Sequence, residues 1–145
     1  MRSLTKNSFN LLMAFSLFAI ILGSLSCTKA TNNDVLNPPH IAFKTATGYT
    51  YNDGTVAASS SPLVGIAAYK TSGSDILTIF QIACSYDGKA DSILYTENIY
   101  GAASDSYGKD YSVPILGQSG SQKFTFSVFT ASGLKSSVSI NFNVN

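Results

Sequence analysis

Tryptophan is absent from this chain, histidine occurs once, at His40, and glutamate once, at Glu97. Cysteine occurs twice, at Cys27 and Cys84, and charged residues make up 12% of the sequence. Each shortage removes a class of function. A Ser-His-Asp triad would have to recruit His40, and no serine sits in the glycine pattern of a nucleophile elbow. A glycosidase-like carboxylate pair would have to be drawn from Asp53, Asp75, Asp87, Asp91, Asp105 and Asp110, which are scattered singly. Asp87 and Asp91 flank a turn and are read as turn formers. No glycine-rich phosphate loop, zinc-ligand cluster, dense calcium-binding Asx spacing or cofactor motif occurs, so neither a cofactor nor a metal is expected. The protein is accordingly expected not to be an enzyme. Nor is there a basic field to hold nucleic acid by counterion release, since seven lysines face eight carboxylates beyond residue 26. No internal repeat of 20 to 50 residues is visible.

A membrane-spanning run is missing as well. The longest apolar stretch, Phe9 to Leu22, has 14 residues and is interrupted by Asn10 and Ser16, whereas a span needs about 20. Arg2 and Lys6 precede it, and Gly23-Ser24-Leu25-Ser26 follows. A positive start, a short apolar middle and a small-residue cleavage site are the order of a secretory signal peptide, so residues 1–26 are expected to be removed. The junction Ser26-Cys27 resembles the lipobox of bacterial lipoproteins, whose cysteine becomes the lipidated first residue. That pattern prefers leucine three places before the cysteine, where this chain has Ser24, with Leu25 one place nearer. The resemblance implies a diacylglycerol and an amide-linked chain of the palmitate class on Cys27, two signals that together anchor stably. It also implies the outer membrane of a Gram-negative bacterium, where Thr28 lacks the aspartate that retains enteric lipoproteins inside. The alternative is an ordinary cut near Ser26 or Ala30, which leaves a secreted or periplasmic domain.

The exported part is long enough for one domain. Residues 27–39 are polar, without either apolar period, and end in Pro38-Pro39, so they are read as a flexible spacer. From residue 40 to 145 the period is two. Val138, Ile140, Phe142 and Val144 alternate with Ser137, Ser139, Asn141 and Asn143, and Phe124, Phe126 and Val128 alternate with Thr125 and Ser127. With Thr130-Ala131-Ser132-Gly133 between them, the two runs form a β-hairpin. Further strands are expected from Ile41 and Phe43, continued after Thr47-Gly48 by Tyr49 and Tyr51, at Leu63 to Lys70, at Ile76 to Tyr86, at Asp91 to Thr96 after an Asp87-Gly88 turn, and at Tyr107 to Ile115. Seven or eight strands at this spacing predict an all-β, antiparallel sandwich.

The run Gln122 to Leu134 followed by Ser136 to Ile140 resembles the last hairpin of bacterial immunoglobulin-like domains, including those similar to PKD and cadherin modules. The resemblance implies an immunoglobulin-like β-sandwich, here without the tryptophan and bridging cysteines of antibody domains. Cys84 shares parity with Phe80 and Ile82 and is expected to be buried in the core as a small hydrophobe. Tyr95, Tyr100, Tyr107 and Tyr111 fall in a segment read as a long loop. Tyr95, Tyr100 and Tyr107 are the candidate ligand contacts, since tyrosine suits stacking on sugars or protein recognition; the alternative is that these tyrosines simply cover the faces of half-exposed strands. Phe129 is out of phase with its core-facing neighbours and is left between an exposed patch and a place under a loop. The expected function is that of a non-catalytic, surface-anchored lipoprotein serving adhesion, protein interaction or spacing. The alternative is a glycan-binding accessory protein that uses the tyrosine-bearing loop. Its partners would be the membrane, through the lipid, and a cell-surface protein or glycan.

Overall fold

The structure, a computed structural model, describes residues 35–145. The expected signal peptide, Cys27 and the expected spacer up to residue 34 lie outside the described residues. Eight strands follow in order: β1 (His40–Phe43), β2 (Gly54–Val56), β3 (Leu63–Tyr69), β4 (Leu77–Tyr86), β5 (Ser92–Asn98), β6 (Ser106–Ser112), β7 (Gly120–Thr130) and β8 (Lys135–Val144). A single 3-10 turn, Gly101–Ser104, separates β5 from β6. The strands form two sheets, β1-β3-β6 and β2-β8-β7-β4-β5, packed face to face rather than closed into a barrel.

The alternation decides which side chains meet between the sheets. Phe124, Phe126 and Val128 of β7 and Ile140 and Phe142 of β8 are fully buried, together with Phe80 and Ile82 of β4. Val64 and Ile66 of β3 oppose them, and Phe43 of the small sheet meets Phe126 of the large one edge-on at 6.0 Å between ring centroids. Each such side chain contributes about 1.5–3 kcal/mol by leaving water. Cys84 is 1% exposed within this core, where burial pushes its thiol up from the ordinary range. Phe129 stands on the opposite, outer face of β7, half-buried beneath the Lys135 ammonium at 5.4 Å.

Three expectations are corrected. The pairing is not wholly antiparallel, because β2 runs parallel to β8, with Gly54 opposite Phe142 and Val56 opposite Val144. The chain leaves β1 in one sheet and crosses to the outer edge of the other, arriving in the direction of β8. Residues 94–111 are not a long loop, since all but 99–105 belong to the edge strands β5 and β6. The third correction concerns the spacer. The Asn37 N–H donates to Ser72 Oγ at 2.9 Å, Thr71 Oγ1 donates to the carbonyls of Asn37 and Pro38, and Pro39 is buried. Residues 37–39, expected in the spacer, are therefore fastened to the body.

Strand directions sort the connections into two ends. The lead-in at Asn37, the 70–76 connection, the 99–105 connection and the β7–β8 turn share one end, tied by Lys70 N–H to the Asp105 carbonyl (3.1 Å) and Ala131 N–H to the Ile76 carbonyl (2.9 Å). The β4–β5 turn and the connection 113–119 lie at the other.

Candidate functional site

β5 is the outer strand of the large sheet and β6 the outer strand of the small one, and both lie on the same flank. Period two sends Tyr95 and Glu97 to one side of β5, and Tyr107, Lys109 and Tyr111 to one side of β6. There they meet. Glu97 Oε2 accepts hydrogen bonds from Tyr95 Oη at 2.5 Å, Tyr107 Oη at 3.0 Å and Lys109 Nζ at 2.6 Å. Lys109 Nζ also donates to Tyr95 Oη at 2.8 Å and stands 4.8 Å from the centre of that ring. Beneath them Phe80 packs on Tyr107 at 5.2 Å and on Tyr95 at 6.4 Å, and Tyr111 closes over Tyr95 at 5.7 Å.

The electrostatics follow from these contacts. The Lys109 ammonium, and then the Tyr95 hydroxyl, hold the Glu97 carboxyl down at about 2. Burial, reinforced by the bond to Glu97, pushes the Tyr107 phenol well above its ordinary value. The bond to Glu97 raises the Lys109 ammonium in turn. A carboxylate saturated by three donors is a poor proton acceptor near neutrality. The cluster is a clasp joining the open edges of the two sheets.

The sequence-chosen tyrosines are thus divided. Tyr107 is 7% exposed and Tyr95 is half-buried, both with their hydroxyls committed to Glu97. Tyr100 is 75% exposed, on an extended backbone between β5 and the 3-10 turn. The structure does not gather the three on one loop. Sequence reasoning missed Glu97 and Lys109, although the i, i+2 pairs Tyr95/Glu97 and Tyr107/Lys109 were the available signal. His40 stacks on Tyr69 at 4.4 Å. The scattered aspartates are drawn to backbone or lysine: Asp53 to Asn141, Asp75 to Ser132, Asp87 to Ser121, Asp105 to Lys70 and Asp110 to Lys44. Cys27, the expected lipid site, lies outside the described residues.

Beside the clasp, the surface carries exposed apolar side chains. On the β5 edge, where a bulge opposite Ile82 and Ala83 breaks the register, Ile93 is 64% and Leu94 40% exposed. The outer face of the large sheet is uncharged over its middle, with Thr125 bonded to Ser139 and Ser127 to Ser137.

No protein-family model and no curated protein matches this chain. Among solved structures, it is similar to a superoxide reductase (neelaredoxin) from Ignicoccus hospitalis at 10% identity and a TM-score of 0.48, over 76% of this chain and 82% of that one. A β-glucosidase from Listeria innocua in complex with glucose is similar at 11% identity and a TM-score of 0.46, over 72% of this chain and 16% of that one. Murine CRIg follows at 5% identity and a TM-score of 0.42, over 75% of this chain and 99% of that one. The expectation that the protein is not an enzyme is corrected by the first of these, which is an enzyme, and is withdrawn. Few sequence motifs and an all-β body do not exclude catalysis, because activity resides in sites grafted onto folds. With TM-scores under 0.5, these likenesses carry no activity or ligand over to this chain.

Proposed function

We propose that this chain is a lipid-anchored outer-membrane protein whose single immunoglobulin-like sandwich presents a protein-interaction surface at the cell exterior. Support for the sandwich comes from the strand order. β1, β3 and β6 stand in the places of strands A, B and E of such domains, and β4, β7 and β8 in those of C, F and G. The anchor rests on the leader that ends at Ser26-Cys27 and on a body whose fastening at Asn37 follows Cys27 closely. The observation that carries the interaction reading is the β5 edge. It is seven residues long, free of proline, unpaired on its outer side, and carries exposed Ile93 and Leu94. Such an edge accepts an added strand from a partner, with backbone bonds giving affinity and flanking side chains specificity.

Two measurements test this reading. Cells fed a labelled fatty acid incorporate label into the wild type and not into Cys27→Ala, which leaves the membrane fraction. A photo-crosslinker at Ile93 yields a discrete adduct on intact cells, whereas one at Thr55, on β2 at the other flank, yields none. Wild type without label overturns the anchor, and equal adducts from both positions overturn the β5 surface.

A further inference from the structure

The fastening of Asn37 to Ser72 shortens the tether. From Cys27 to Leu36 about nine residues are left to span to the lipid, at most ~30 Å when stretched. On the lipid-anchor reading, the end of the body at which the chain enters lies within that reach of the membrane. Strand directions place Tyr100 and Ile76 at that same end as Val35 and Leu36. Val35 is 76%, Tyr100 75%, Leu36 43% and Ile76 40% exposed. Charge there is muted. The Lys70 ammonium lies 2.6 Å from the Asp105 carboxylate, Asp75 is 5% exposed and bonded to Ser132, and Lys135 lies over the Phe129 ring.

Four exposed apolar side chains, an outward tyrosine among them, with the Lys70 and Asp105 charges paired, suit the boundary between lipid headgroups and acyl chains. There an aromatic ring can be dry while its hydroxyl stays wet. We propose that this end of the domain, through Tyr100, Ile76, Val35 and Leu36, rests in the interface of the bilayer that holds the lipid on Cys27. The proposal builds on the lipid-anchor reading. It gives the domain an orientation: the Asp87-Gly88 turn and the 113–119 connection point away from the membrane, and the β5 edge stands upright beside it. Tyr100 then contacts lipid rather than a glycan.

The test uses the full acylated chain in phosphatidylcholine vesicles, with a polarity-sensitive fluorophore on a cysteine introduced by Ala102→Cys, beside Tyr100, or by Gln118→Cys, at the far end. Cys84 is buried and takes no label in the native state. The fluorophore at 102 is expected to shift to the blue and to be quenched several-fold by nitroxide-bearing lipids, and that at 118 to remain unquenched. Tyr100→Ser with Ile76→Ser, both at exposed positions, should abolish most quenching at 102 without altering the circular dichroism. Intact mass reads the acyl group separately. With the acyl mass present, lack of quenching at 102 or equal quenching at 102 and 118 overturns the membrane seat and leaves the anchor standing. Absence of the acyl mass overturns both.

Discussion

Glu97 and Gly65 show how single residues join distant parts of this body. The Glu97 carboxyl sits at about 2, held chiefly by Lys109, against an ordinary value of 4.5. A depressed carboxyl stabilises the fold above its unfolded value and loses that contribution as pH falls toward the folded one. The side chain is 34% exposed, so solvent screening keeps the effect small. Glu97→Gln is expected to lower the unfolding free energy by about 1 kcal/mol at pH 7. The deficit should shrink between pH 4.5 and 2, as read from urea midpoints across that range. A deficit that did not change with pH would refute the role given to the charge. Gly65 acts through space rather than charge. A Cβ there would stand 2.7 Å from the Tyr49 ring and 2.8 Å from Lys44 Cδ, the side chains that hold Asp110 at 2.9 and 2.6 Å. Gly65→Ala should displace the ring and break its hydroxyl bond. Its effect on the urea midpoint is then expected to overlap that of Tyr49→Phe, so that the double variant loses less than the sum.

Among the elements, the β7–β8 hairpin was legible because each strand alternates strictly over a half-buried sheet, and Gly133 takes the positive φ of 86° that the loop requires. The β4–β5 turn was legible for a similar local reason. Asp87 and Gly88 have φ of 47° and 72°, the left-handed pair of a type I′ turn, closed by Lys89 N–H on the Tyr86 carbonyl at 2.8 Å. Gly88→Ala should cost about 1 kcal/mol by forcing a Cβ into that conformation. A urea midpoint unchanged within error would show that the turn reshapes freely. The strands expected at Asp91 to Thr96 and Tyr107 to Ile115 are β5 and β6, but their ends and their inward role were hidden, because tyrosine, threonine, asparagine and serine serve equally in exposed edges and in loops. Only the meeting of Glu97 with Lys109, on separate sheets, gives their alternation a purpose. β2 was hidden differently. It has three residues, and a period of two carries no information about the direction of the neighbouring strand.

At the scale of the whole molecule, no disulfide joins the sheets among the described residues, so the core and the clasp at Glu97 resist their separation. Cys84 sits where that resistance can be measured. It is 1% exposed between Ile82 and Phe124, in a strand paired on both sides, and its thiol is raised by burial. A reagent needs the exposed thiolate. If β4 is freed only when the two sheets part, alkylation of Cys84 must pass through global unfolding, and its rate must rise with urea along the slope of the equilibrium transition. β5 offers the competing route, since it is the edge strand on one side of β4 and opening it alone would bare the neighbourhood of Ala83. The clasp of Glu97 with Lys109 and Tyr107 holds that edge to the other sheet. In the wild type, Cys84 alkylation, followed by peptide mass so that Cys27 does not interfere, is expected to be urea-dependent throughout. In Glu97→Gln, a urea-independent phase should appear at low denaturant, because a loosened β5 then opens without the rest. A wild type that already shows that phase would mean the clasp does not hold the edge, and that the two sheets part strand by strand.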